Sequence, residues 1–303
     1  MVCGDRGRWL AMVVVLAMVL PGCGRTARRS PYPHESIMTV VLELKLFLDQ
    51  DPYRNPPGTD LEDRNIYRVS LARLTALEEL ADPVYADVLA YARAQCLERL
   101  GLYGEASGAF EAAEALRTEL ARDALERAGH ARSLAELIDR SRLDDSVEGY
   151  LNGLEVIERR LEEWIDRRPP FPYPSLARIE RERAQEERAR LLAANRFLLR
   201  DAAPRAAEAF ERLVDLNPDS ARRNRNRLLV GEFYETLARD TTASLRPEGP
   251  AFNPEGNWAD WVARARHEYR LVAQADGDPA KLEGQARLRS LDAYALAVRS
   301  LAR

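Results

Sequence analysis

The sequence predicts an all-α protein assembled from helical hairpins, and three observations carry that expectation. Past residue 35, the helix formers Ala, Leu, Glu and Arg dominate. Apolar residues recur at i, i+3, i+4 and i+7, the period of a helix with one buried stripe, and no segment alternates with the period of a strand. Breaks rich in Gly, Pro and Asp divide the chain at intervals that suit helices.

The first 22 residues stand apart from this pattern. Arg6 and Arg8 precede an unbroken apolar run from Trp9 to Leu20. That length suits a signal-peptide core and falls short of the about 20 residues a spanning helix needs. Pro21 and Gly22 then break the helix. Leu20-Pro21-Gly22-Cys23 reads as a lipobox, in which cleavage before the cysteine leaves a lipid-bearing residue at the new N-terminus. Residues 1–22 are therefore expected to be a lipoprotein signal peptide, with Cys23 the lipidation site. Residues 23–36 are polar, basic and Pro-containing, and read as a flexible tether. In lipoprotein families an Asp after the cysteine favours the inner membrane, so Gly24 implies an outer-membrane, periplasm-facing protein. Inner-membrane anchoring and surface exposure are the alternatives.

Residues 37–303 are expected to form one helical domain. The spacing predicts helices at 35–49, 61–80, 84–100, 103–119, 121–139, 144–167, 174–200, 203–215, 219–239, 257–276 and 279–302. Suitable punctuation separates them: Asp51-Pro52 through Pro57-Gly58, Asp82-Pro83, Leu100-Gly101, Arg168 through Pro174, Asn217-Pro218 and the Pro/Gly-rich stretch 246–256. Val88, Leu89, Ala92, Cys96 and Leu97 form one stripe, the Leu100-Gly101 turn follows, and Ala106, Phe110, Ala113 and Leu116 form the next. That is a helical hairpin.

Charge and cysteine content narrow the function. The net charge is −4, and loss of residues 1–22 leaves the chain one unit more acidic. This balance argues against nucleic acid as a partner. Only two of the 45 basic residues are lysines, Lys45 and Lys281, which suits a coding bias toward Arg. Of three cysteines, Cys3 leaves with the leader and Cys23 carries lipid. Cys96 is then alone, on an apolar stripe, as a small buried hydrophobe.

No catalytic or metal motif emerges. His34 falls in the tether, while His130 and His267 sit on separate helices without a ligand partner at i+3 or i+4. We expect no enzyme, no metal and no cofactor. Glu180, Glu182, Glu186 and Glu187 alternate with Arg178, Arg181, Arg183 and Arg188, at the spacing of i,i+4 pairs on a solvated helix face. Arg222-Arg223-x-Arg225-x-Arg227 is less ordinary. It follows Asp219-Ser220 at a helix start, where cations oppose the dipole. It reads either as a solvated helix start or as a basic patch. Trp258 and Trp261, at the start of a late helix, read as packing residues.

Three segments resemble the second half of a tetratricopeptide (TPR) repeat. Leu100-Gly101-x-Tyr103-x-Glu105-Ala106-x-x-x-Phe110-x-x-Ala113 is the clearest. Ala206, Phe210, Leu213, Leu216 and Pro218 repeat it, and Ala265, Tyr269, Val272 and Pro279 give a weaker copy. Within residues 160–240, Pro169-x-x-Pro172-Tyr173, a long charged helix, Ala206-x-x-x-Phe210 and Pro218-Asp219-Ser220 also resemble the middle of BamD-type lipoproteins, TPR proteins of the outer-membrane β-barrel assembly machinery. Asp201 and Ala203 depart from that family, which tends to have Gly and Tyr there. The resemblance implies a TPR-like solenoid serving as an interaction scaffold in the envelope. Its partners would be envelope proteins or extended peptide segments. Mapping the first helix of each hairpin to the concave groove places Tyr91, Gln95, Glu98, Arg188, Asn195, Arg222 and Arg225 there as partner-binding residues. Two other readings stay open: a cell-wall glycan-acting enzyme and a small-ligand-binding lipoprotein.

Overall fold

The computed structural model of the chain describes residues 36–50, 58–59, 62, 64–78, 82–243 and 257–301. Residues 1–35, which hold the expected signal peptide, Cys23 and most of the expected tether, together with most of 51–60 and the stretch 246–256, lie outside the described residues.

Eleven α-helices account for most of what is described: α1 (Ile37–Gln50), α2 (Ile66–Glu78), α3 (Ala86–Arg99), α4 (Tyr103–Ala115), α5 (Ala121–Leu137), α6 (Val147–Asp166), α7 (Tyr173–Ala194), α8 (Ala202–Asp215), α9 (Arg223–Ala243), α10 (Asn257–Ala273) and α11 (Ala280–Leu301). The all-α expectation holds. No helix among them is long and apolar enough to cross a membrane.

The helix ends follow from capping chemistry. Ser146 caps α6 by accepting the Gly149 N–H at 3.1 Å. The Asn65 Oδ1 accepts the Tyr67 N–H at 2.9 Å at the start of α2, and the Asp278 Oδ1 accepts that of Ala280 at 2.7 Å before α11. Gly101, at φ +78°, closes α3: its N–H reaches the Glu98 carbonyl and the Leu102 N–H reaches that of Leu97. The α3–α4 hairpin needs this left-handed residue, because only three residues join its helices.

Several predicted boundaries shift by four or five residues, as at the starts of α2 and α9 and the end of α4, and the largest shift is at the end of α7. The helix expected to run to residue 200 ends at Ala194. There the Asn195 amide turns back to donate to the Leu191 carbonyl at 2.8 Å, competing with the next helical turn. Asp201 then adopts φ +53°, and α8 starts afresh at Ala202. The departure from the BamD-type pattern thus falls at a position whose backbone favours glycine.

Each helix packs chiefly on its neighbour in chain order. In addition, α1 meets α3 and α9 meets α11 across the helix between them. The α5–α6 contact is the thinnest of the sequential ones: α5 rests on α4, and α6 on α7. The apolar interior is correspondingly divided. One cluster joins α1, α2 and α3 around Leu44, Tyr67 and Leu74. A second joins α3, α4 and α5 through Ala94, Phe110 and Ala128. A third gathers Tyr103, Leu134, Leu154 and Tyr173 where α4 to α7 meet. The fourth and largest spans α6 to α11 around Phe210, Phe233, Trp258 and Tyr269.

The alanine and aromatic positions of the three repeat-like segments turn inward, whereas Leu116, Leu216 and Pro218, expected to continue the pattern, are exposed. Ala106, Phe110 and Ala113 are buried, as are Ala206, Phe210 and Leu213, and Ala265, Tyr269 and Val272. Small residues permit close helix approach, and the aromatic ring fills the space that remains. Cys96 is buried as expected. Trp258 is also buried, its indole N–H donating to the Tyr294 hydroxyl at 3.2 Å, and Trp261 packs against the same cluster.

Candidate functional site

Helix α7 packs between α6 and α8, and its charged run is the largest correction to the sequence reading. The four glutamates were expected on a solvated face. Glu180 and Glu182 are instead 3% and 4% exposed. Burying a carboxylate is costly unless hydrogen bonds replace water, and partners from distant helices supply them. The Tyr103 hydroxyl donates to Glu180 at 2.9 Å. Ser220 and the Asn226 amide donate to Glu182 at 2.8 and 2.6 Å. The i,i+4 pairs expected among these residues are replaced by others: Arg183 pairs with Glu180 at i,i+3, Arg181 and Arg188 reach Glu162 and Glu155 of α6, and Glu186 pairs with Arg190 at 2.9 Å. The Tyr103 hydroxyl is pushed well above its ordinary pKa by burial, with the Glu180 charge acting in the same direction.

The open side of α7 carries Arg183, Glu186, Glu187, Arg190, Leu191 and Ala194. With Asp145, Val147 and Tyr150 from the start of α6, these residues line an open furrow of about 680 Å³. Val147, Tyr150, Leu191 and Ala194 give it an apolar lining, with the charged groups beside them. These groups are internally braced. The Tyr150 hydroxyl donates to Glu187 at 2.6 Å, Arg140 pairs with the same carboxylate at 2.9 Å, and Glu186 pairs with Arg222 at 2.7 Å. The Glu187 charge, by accepting that bond, raises the Tyr150 hydroxyl pKa. A second, more polar furrow of about 690 Å³ runs between the start of α4 and the end of α5. Arg140 lines the second furrow and Glu187 the first, so the two adjoin at the Arg140–Glu187 pair.

The structure separates the seven predicted groove residues. Tyr91 and Glu98 face the seam between α3 and α5. The Tyr91 hydroxyl donates to Asp123, and its ring meets that of Phe110 edge-on at 5.5 Å. Burial is the main cause raising the Tyr91 hydroxyl pKa, with the Asp123 bond adding to it. Glu98 is only 1% exposed, accepting from Tyr173 at 2.8 Å and from Arg127 at 3.3 Å. A carboxylate so enclosed offers nothing to a partner, and its groove placement is corrected. Gln95 lies half-buried on the same helix face.

Arg188 faces α6, pairing with Glu155 at 3.4 Å and approaching Glu158 at 3.8 Å. Asn195 is occupied in closing its own helix. These two also fall off the open face, and the residues one step back, Glu187 and Ala194, line the furrow instead. Successive helix residues are rotated by about 100°, so a one-residue error in register changes the face. Of the two arginines, Arg222 reaches a furrow residue and Arg225 does not. Arg222 holds Glu186, and Arg225 is exposed and pairs with Glu283 of α11 at 3.2 Å. Arg227 pairs with Glu268 at 3.3 Å. The basic cluster at the α9 start is therefore largely answered by carboxylates of α7, α10 and α11.

Nothing among the described residues groups three or more His, Cys, Asp or Glu in a metal-binding arrangement. His130 lies against the rings of Tyr173 and Trp164, at centroid distances of 4.8 and 6.3 Å. What the furrow can do chemically is bind: it has an apolar lining, charges of both signs beside it and hydrogen-bonding groups held in place.

Fold and surface together define an all-α protein of consecutively packed helices with an open furrow along α7. No family model matches the chain. No curated protein matches it significantly.

Proposed function

We propose that this chain is a bacterial envelope lipoprotein, anchored through Cys23 to the outer membrane, whose helical hairpins form a TPR-like scaffold for other envelope proteins. The observation that carries the scaffold reading is the furrow on α7. An apolar lining with braced charges beside it suits an extended segment that alternates apolar and charged side chains. Consecutive helix packing supports the TPR-like arrangement, because each hairpin then buries its apolar face on the next. The inward burial of the three Ala/aromatic signatures supports it further. A role in outer-membrane protein assembly rests on the resemblance of residues 160–240 to BamD-type lipoproteins.

Two measurements test this reading. Cys23→Ser should release the protein from membranes, and metabolic acyl labelling should disappear with it. Affinity capture of membrane-extracted protein should recover envelope partners, and Leu191→Asp with Tyr150→Ala should lose them while the helical content persists. Retention of the same partners by that variant would remove the furrow from the proposal.

A further inference from the structure

Helix α1 is apolar almost all the way round, and only part of it is covered. Val40 and Leu44 are buried against α2 and α3. Met38, Leu42 and Leu46 are 45%, 56% and 54% exposed. Spaced four residues apart, they form one strip along about 12 Å of helix. Lys45, also exposed, flanks the strip, and exposed Asp49 marks its end.

We infer that this strip lies in the membrane interface and holds the helical body down against the bilayer. The inference rests on the lipid-anchored reading of Cys23. Ser36 is the thirteenth residue after Cys23, so the intervening chain can reach at most about 45 Å. The strip is thus the first exposed apolar surface that chain brings to the lipid. Lys45 can extend its stem along the apolar strip and leave its ammonium among the phosphates. A second copy of the chain is a poor occupant. Three side chains on 12 Å of helix fall far below the about 800 Å² per partner that a stable interface buries.

A depth-sensitive probe tests the placement. Full-length protein carrying Leu42→Cys is extracted, labelled with an environment-sensitive fluorophore and reconstituted in phosphatidylethanolamine/phosphatidylglycerol vesicles containing nitroxide phospholipids. Leu282→Cys, exposed at the start of α11, is the control. Buried Cys96 and acylated Cys23 leave the introduced thiol as the labelling site. The Leu42→Cys probe should be quenched by the lipid and the Leu282→Cys probe should not, and adding Leu46→Asp should abolish the quenching. Equal quenching at both sites, or acylated protein with an unquenched Leu42→Cys probe, would overturn the inference. So would a probe shielded from water but not reached by lipid, which would mean that a protein covers the strip. Acyl labelling of Cys23 is scored in the same samples. Its absence defeats the anchored reading, whereas its presence with an unquenched probe defeats only the placement of α1.

Discussion

Glu98 provides the sharpest test of how the helices are held in register. It is a nearly fully buried carboxylate on α3 that accepts from Arg127 of α5 and Tyr173 of α7. The thin α5–α6 contact lies between those two helices in the chain, so this carboxylate ties together parts that their own packing joins weakly. In Glu98→Ala, the Arg127 guanidinium keeps Asp123 at 3.1 Å, and the Tyr173 hydroxyl keeps the Arg127 carbonyl at 3.2 Å. Breaking one side of a buried pair costs about 3–5 kcal/mol. With those residual partners the low end applies, about 3 kcal/mol, more than a hundredfold in the folding equilibrium. Tyr173→Phe removes one hydrogen bond to a charged group, a loss of about 1.5 kcal/mol.

The assay is urea unfolding of the two single variants and the double, followed by circular dichroism. Because consecutively packed helices need not unfold as one unit, amide exchange in α3, α5 and α7 is followed in parallel. Tyr173→Phe should cost less in the Glu98→Ala background than alone, and exchange should rise in all three helices. A Glu98→Ala cost below about 1 kcal/mol, against the 3–5 expected of a broken buried pair, would refute the reasoning. Equal costs of Tyr173→Phe in both backgrounds would refute the coupling.

Four further outcomes follow from particular residues. Asp201→Gly should stabilise by about 0.5–1 kcal/mol in thermal unfolding, because relief of its left-handed backbone exceeds the added freedom of the unfolded chain. Gly231→Ala should destabilise by about 1–3 kcal/mol, since the new Cβ meets the Tyr269 ring; Gly129→Ala meets nothing within 4 Å and should stabilise by up to about 1 kcal/mol. Burial raises the Glu158 carboxyl above 4.5, outweighing Arg188 and Arg212. The contribution of that group to stability is therefore full below pH 4.5 and is lost as pH rises through the folded value. Denaturation midpoints of Glu158→Gln should fall less than those of the wild type across that interval. Burial pushes the Cys96 thiol up to about 12, so iodoacetamide at pH 8 should modify it only after unfolding.

The legible part of this fold is periodic. Stripes such as Leu89-Ala92-Cys96 and Ala106-Phe110-Ala113 are written in one helix and need no knowledge of its neighbours, and both are buried. Leu100-Gly101 marked a turn because its backbone needs a left-handed residue. The site was less legible. Glu180 and Glu182 look solvated beside Arg181 and Arg183, and the residues that bury them, Tyr103, Ser220 and Asn226, lie on other helices. The furrow face was missed by one residue, Glu187 for Arg188, because a helix charged on several sides has no single apolar stripe to fix its rotation. The apolar members Leu191 and Ala194, with Val147 and Tyr150 across from them, were the available signal.

Tyrosine–glutamate pairs recur where helices meet: Tyr103–Glu180, Tyr173–Glu98, Tyr150–Glu187, Tyr234–Glu211 and Tyr269–Glu235. Burial, the main cause, and the Glu211 bond push the Tyr234 hydroxyl up to about 12. Helix faces rich in alanine attract one another without strong directional preference. Sliding one past its neighbour would change the apolar area buried only slightly. Where the carboxylate is buried, as at Glu98, Glu180 and Glu235, the same slide would pull a hydroxyl from it and leave a buried charge short of a partner, at about 1–3 kcal/mol. The tyrosine and glutamate pairs thus set the helix offsets that alanine packing leaves loose. The furrow depends on those offsets, because Tyr150 and Glu187 form its wall and one such pair at once.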